Sequence, residues 1–127
     1  MHFKTALVVL GTACAALTFG ASPAKAQKGD AMLDRGKMLY FNRGCRTCHG
    51  VGKKMIAPDL AGLEQRRSKE WIYRWLKETS AMIASDSTAQ QLVAEWNGAH
   101  MPQQRLSDQD IDAMLAYLRS EPEKGKK

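Results

Sequence analysis

Four stretches of the chain repeat apolar residues at helical spacing, and none alternates apolar with polar residues as a half-buried strand would. The first stretch predicts a helix from about Ala31 to Phe41, with Asp30 as its N-cap, Asp34 in its early turns, and Leu33, Gly36 and Tyr40 on its buried face. A second helix is expected to follow Ser68 and reach about Glu78. A third begins at Asp86, Ser87 or Thr88, carries Ala89, Leu92, Val93 and Trp96, and stops at Asn97-Gly98. The last opens on a capping-box pattern, Ser107 with Asp110, and sets Ile111, Met114, Leu115 and Leu118 at i, i+3, i+4 and i+7, with Tyr117 beside that stripe. Gly50, Gly52 and Pro58 mark a loop between the first two helices. Gly36 is informative because glycine inside a helix costs about 0.5–1 kcal/mol relative to alanine, so its presence marks a place where another backbone comes close. The last helix is the expected neighbour.

Residues 1–26 break this pattern. Lys4, an apolar run from Ala6 to about Phe19, and the small-x-small triplet Ala24-Lys25-Ala26 predict a signal peptide cleaved after Ala26. The run falls short of the roughly 20 apolar residues that span a bilayer, so no stable membrane anchor is expected. Gly11-Thr12-Ala13, ahead of Cys14, lacks the leucine of a lipoprotein signal, and Cys14 is expected to leave with the peptide. Residues 27–127 remain, enough for one domain with one core. Cleavage takes Lys4 and Lys25 and no acid from the 19 basic and 13 acidic residues, which leaves a formal charge of +4. So mild a balance, without basic clusters interleaved with aromatics, argues against nucleic-acid binding. The basic end, Lys124-Gly125-Lys126-Lys127, reads as a solvated tail.

Composition and charge thus leave the chemistry to one pentapeptide, Cys45-Arg46-Thr47-Cys48-His49. Positions three apart share one face of a helical turn, so both thiols can add to the two vinyl groups of one porphyrin, and His49 then lies beneath the ring as an iron ligand. A structural zinc site would take a second pair of ligands, and after residue 49 the chain holds no cysteine and only His100. A thioredoxin-like pair would follow a strand in an alternating strand and helix pattern, whereas the flanks here are helical. Export agrees with haem attachment, since cysteines outside the cytoplasm otherwise become disulfides. One covalent haem c is therefore expected.

On this motif, followed in order by Pro58 and Met101-Pro102, the chain resembles the bacterial class I monohaem c-type cytochromes, and the resemblance spans essentially everything after residue 26. It implies an all-α cytochrome c fold, four to five helices around one covalently bound haem, in which the N- and C-terminal helices cross and a small residue of one meets an aromatic of the other. It also implies a periplasmic carrier that passes single electrons between larger redox proteins, with no catalytic residue of its own. By the same resemblance, the Pro58 carbonyl takes the second ring hydrogen of His49, the contact that ligating histidines usually make. Ala57 stands where the family commonly has glycine, which alters the local backbone path.

The resemblance further favours Met101 as the sixth ligand. A thioether there raises the reduction potential, and Pro102 stiffens its loop. His100 is the competitor that would give bis-histidine ligation, and Met82 is the alternative thioether. Met32, Met38 and Met114 sit on helices as apolar filler, and Met55 is too near the His49 side. Arg66 and Arg67 are each candidates for a haem propionate, with a solvated turn as the ordinary alternative. Trp71 and Trp75, four apart, share a face expected to wall the haem crevice, and an indole hydrogen of either is a candidate donor to a propionate. Two further functions remain open: a haem subunit of a multisubunit oxidoreductase, such as one acting on sulfur compounds, and an open-site protein binding a gas or reducing peroxide. A single haem motif disfavours dihaem peroxidases, and its place near the N-terminus disfavours cytochromes c′.

Overall fold

The structure is a computed structural model that describes residues 23–121. Residues 1–22, which hold most of the expected signal peptide and Cys14, and the basic tail beyond Glu121 lie outside the described residues. Within them are six helices and no strand: α1 (Pro23–Asn42), α2 (Cys45–Cys48), α3 (Leu63–Arg66), α4 (Lys69–Ser85), α5 (Ser87–Glu95) and α6 (Asp108–Ser120). Four of these are the elements the periodicity predicts. The other two, α2 and α3, are single turns of four residues, too short to leave an amphipathic pattern. Among the described residues no helix is long and apolar enough to cross a membrane.

Helix α1 packs against α6, and α4 against α5. The first pairing turns on Gly36, which meets the backbone of Ala113 and the Cβ of Tyr117, while the Tyr40 and Tyr117 rings lie 5.7 Å apart at 47°. The small residue of one terminal helix thus lies against an aromatic of the other. Asp30 departs from expectation. It lies within α1, which continues back to Pro23, so it caps nothing. Proline is well suited to the first turn of a helix, where its missing N–H is no loss.

Ser68 caps α4 by accepting from the Trp71 amide, and Asp86 caps α5 by accepting from Ala89. Helix α4 runs past its expected end, but at that position, Glu78, its backbone leaves helical geometry (φ −132°, ψ 36°). Thr79 explains the bend. Its hydroxyl donates to the Trp75 carbonyl four residues back at 2.6 Å, a contact that bends helices. Beside the bend, the Leu76 carbonyl accepts the Gln104 amide at 3.0 Å, which fastens the loop before α6 onto α4. Asn97 and Gly98, both with positive φ, end α5 and deliver the chain to that loop. The core gathers Leu39, Tyr40, Ile72, Trp75, Leu76, Met82, Leu106, Ile111, Met114, Leu115 and Leu118.

The capping box of α6 does a second job. One Asp110 carboxylate oxygen accepts from the Ser107 hydroxyl at 2.8 Å, and the other takes Nε and a terminal nitrogen of Arg35 at 2.8 and 2.6 Å, tying α1 to the start of α6. The Arg35 guanidinium first, and Ser107 second, hold the Asp110 carboxyl below the usual carboxylate range. A carboxyl depressed in the folded state stabilises fully above its unfolded value of about 3.9, and the benefit fades as pH falls through the depressed value. Asp110→Asn keeps an acceptor for Ser107, the N-cap, but removes the charge that Arg35 meets, and is accordingly expected to cost a few tenths to about 1 kcal/mol at pH 7, the ordinary worth of an exposed ion pair. Thermal melts of both proteins should differ by a constant amount from pH 5 to 8 and begin to converge as the pH falls below about 4. A difference that is the same at pH 3 and pH 7 would refute the charge's part.

Candidate functional site

Helix α2 presents the two cysteines from one turn, both unpaired. Gly44, in the left-handed region at φ 75°, starts this turn, and the chain leaves it at His49 in an extended conformation (φ −106°, ψ 136°). Only a residue without Cβ adopts Gly44's geometry at no steric cost. The His49 amide still bonds back to the Cys45 carbonyl at 2.9 Å, and the His49 carbonyl accepts from the Tyr40 hydroxyl at 2.6 Å. Helix α1 therefore holds the motif's backbone directly. Burial, with Tyr117 nearby, pushes the Tyr40 phenol upward, so it stays a donor throughout the physiological range. Burial likewise pushes the Cys45 thiol up.

His49 Nδ1 lies 2.7 Å from the Pro58 carbonyl oxygen. A carbonyl can only accept, so Nδ1 carries the hydrogen and a neutral ring offers its lone pair at Nε2. This is the contact the family resemblance implied for Pro58, and Ala57 in place of glycine does not prevent it. The Ala57 amide instead donates to the Cys48 carbonyl at 3.1 Å. Asp59, which sequence reading passed over, organises the same loop by accepting the amides of Gly52 and Ala61 at 2.8 and 2.9 Å. An Asp followed by a small, turn-prone sequence was the available signal.

Cys45, His49, Pro58, Trp75, Leu92, Trp96 and Met101 line both lobes of a crevice, of about 410 and 230 Å³. The larger lobe is closed by Leu60, Leu63, Trp71, Met114, Leu115 and Leu118; the smaller reaches Cys48, Ile56, His100 and Pro102. Its size and mostly apolar walls fit a cofactor pocket. The donor set fits haem c: two free thiols on one turn, an imidazole whose far nitrogen is oriented, and a thioether on a separate loop. Among the described methionines, Met101 and Met114 border the crevice, and Met114 projects from α6 as a core residue. Met82, the alternative thioether, is 0% exposed within the core and borders neither lobe. His100 is exposed at the rim of the smaller lobe.

Arg66 and Arg67 both line the larger lobe. Arg66 ties down the loop before it, donating to the carbonyls of Ala61 and Asp59 at 2.5 Å each, while Arg67 lies 5.4 Å over the Trp71 ring. Trp71 and Trp75 stack at 5.2 Å and 10°, walling the crevice as their spacing predicts. Their indole hydrogens, expected as candidates for a propionate, point elsewhere: Trp71 Nε1 donates to Asp86 at 3.4 Å and Trp75 Nε1 to the Met101 sulfur at 3.1 Å.

A family model described as Cytochrome c matches residues 33–121. Among solved structures, a cytochrome c from Rhodothermus marinus is similar at 30% identity and a TM-score of 0.62, over 70% of this chain and 75% of that one. The cytochrome c domain of a Pseudomonas putida protein shares 36% identity at a TM-score of 0.58, over 65% of this chain and 83% of its own. An engineered Rhodothermus marinus cytochrome c bound to a carbene intermediate shares 25% identity at a TM-score of 0.59, over 84% and 87% of the two chains. None of the curated proteins matches the sequence.

Proposed function

The chain belongs to the cytochrome c family, and from that premise we propose that it is an exported carrier with one His49/Met101-ligated haem c, passing single electrons between larger redox proteins. Haem binding and electron transfer follow from the family. The observation that carries the finer reading is that His49, with Nδ1 engaged by Pro58, and Met101 border the same crevice as Cys45. When bound there, haem supplies the one-electron change between ferric and ferrous iron.

The protein's own residues do the rest. Cys45 and Cys48 fix the ring to α2, Pro58 orients His49 and raises its basicity, and the tryptophan and leucine walls keep water off the ring. An apolar, water-poor setting favours the state of lower net charge and so the reduced form. Residues 42–58 carry the exposed Arg43, Arg46, Lys53 and Lys54 and no acid, with Ile56 70% exposed among them. Such a face supports docking of an acidic redox partner, whose association would slow with salt. Any catalysis then resides in that partner.

Mass spectrometry and ferric absorption spectroscopy of protein matured in a host competent for haem attachment test the reading together. One added haem and the weak near-infrared band of methionine ligation are expected. A high-spin ferric spectrum with rapid cyanide binding would turn the assignment to an open-site protein, and a chain without added haem would remove the carrier altogether.

A further inference from the structure

Charge is arranged unevenly around the crevice. On one side, residues 42–58 bring Arg43 and Lys54 to its lining, with Arg46 and Lys53 exposed nearby in sequence and no acid among them. The other side is formed by α5 and the loop after it. From residue 78 to residue 104 the chain holds Glu78, Asp86 and Glu95 but no lysine or arginine, and the exposed Glu95 lines the larger lobe. Lys54 reaches over the Trp96 ring at 5.0 Å, so the two sides approach each other there. The four ion pairs among the described residues, Arg35–Asp110, Lys69–Asp112, Lys77–Asp108 and Arg119–Glu64, tie other parts of the chain together. None takes a charge from either side of the crevice, which leaves Arg43, Lys54 and Glu95 available to another molecule. Between them the surface is apolar: Ile56 is 70% exposed on the basic side, and the exposed Ala99 and Pro102 border the same lobe from the other.

We propose that this surface docks a second copy of the chain, crevice to crevice. A patch that is basic on one side and acidic on the other is complementary to itself. A two-fold axis running along the crevice, between its sides, lays each basic side on the acidic side of the other copy and each Ile56 toward Ala99 and Pro102. The contact is a small, transient one, below about 1,200 Å². This rests on the haem-carrier reading and extends it: within the pair one electron leaves the ferrous iron of one copy for the ferric iron of the other, with no further oxidant or reductant. Identical copies thus hand electrons along. Net charge alone argues the reverse. Residues 27–127 carry a formal +4, still positive once two propionates are added, so two copies repel at long range and salt would speed their encounter. Complementary sides make salt slow it.

Electron self-exchange in haem-loaded protein tests this, read from the NMR broadening of haem methyl resonances in mixtures of ferric and ferrous copies. Between about 0.01 and about 0.15 M salt the screening length shrinks from roughly 30 to roughly 8 Å, and the rate should fall about threefold to tenfold. Lys54→Glu or Glu95→Lys alone should slow exchange at low salt by a similar factor and flatten its salt dependence. Combining the two should recover most of the rate, since the pair then meets across the two copies with its signs exchanged. Lys54→Glu also lowers the net positive charge, so simple repulsion between copies predicts faster exchange for it rather than slower. A rate that rises with salt in the unsubstituted protein overturns the proposal, as does a double variant no faster than the single ones. A chain without added haem removes the carrier reading and this inference with it, whereas salt-accelerated exchange in haem-loaded protein removes this inference alone, so the two failures are distinguishable.

Discussion

Gly36→Ala should destabilise the protein by about 2 kcal/mol or more, lowering its melting midpoint by roughly 10 °C. A Cβ at position 36 would stand 2.0 Å from the Ala113 carbonyl oxygen, 2.6 Å from its carbon and 2.8 Å from the Tyr117 Cβ. None of these atoms is the free end of a flexible side chain. To admit one methyl group, α1 and α6 must separate along their whole crossing, which loosens Tyr40 from both Tyr117 and the His49 carbonyl. Overpacking ordinarily costs about 1–3 kcal/mol, and contacts this short with backbone put position 36 at or above the top of that range, so that after the helical preference of alanine returns at most about 1 a net loss of about 2 remains. Gly29 provides the contrast, since nothing lies within 4 Å of a Cβ built there. Gly29→Ala should leave stability unchanged or raise it by less than about 1 kcal/mol. Equal melting curves for the two variants, followed by circular dichroism, would show that the crossing tolerates a side chain.

Met101→Ala should abolish the near-infrared band and lower the reduction potential by on the order of 0.1 V, a fraction of the ~0.8 V range that axial ligation can span. Among the described residues, only Met101 combines an iron-competent sulfur with a place on the loop side of the crevice, so its loss leaves that side open or exposes it to His100 at the rim. Met82→Ala should do the reverse. Emptying a site that is 0% exposed costs about 2–5 kcal/mol, yet the sulfur it removes borders neither lobe, so band and potential should survive. Persistence of the band in Met101→Ala would overturn the ligand assignment.

The parts of the molecule legible in the sequence are those governed by local rules. Haem attachment is fixed by covalent spacing within five residues, and Ser68, Asp86 and Ser107 announce their helices because a side-chain oxygen serves an amide two or three residues ahead. Gly36 was legible for a less local reason, since a costly glycine in a helix needs a neighbour to account for it. What escaped was decided at long range. The backward extension of α1 past Asp30 and the turn of α3 leave no periodic signature. The two indole hydrogens find Asp86 and Met101 only because α4 faces both α5 and the loop after it. The expected end of α4 at Glu78 was right about where helical geometry fails and wrong about whether the helix resumes. Thr79 bends the chain without stopping it.

That bend also bears on how Met101, the sixth ligand proposed above, could be exchanged. With the Gln104 amide seated on the Leu76 carbonyl, the loop is latched to the middle of a helix rather than hung between two ends. If the Met101 loop swings outward, that carbonyl loses its donor on a residue only 8% exposed, and a buried acceptor left unmet costs about 1–3 kcal/mol. The amide hydrogen of Gln104 would thus be a clock for opening of the Met101 loop, since it reaches solvent deuterium only when the latch is open.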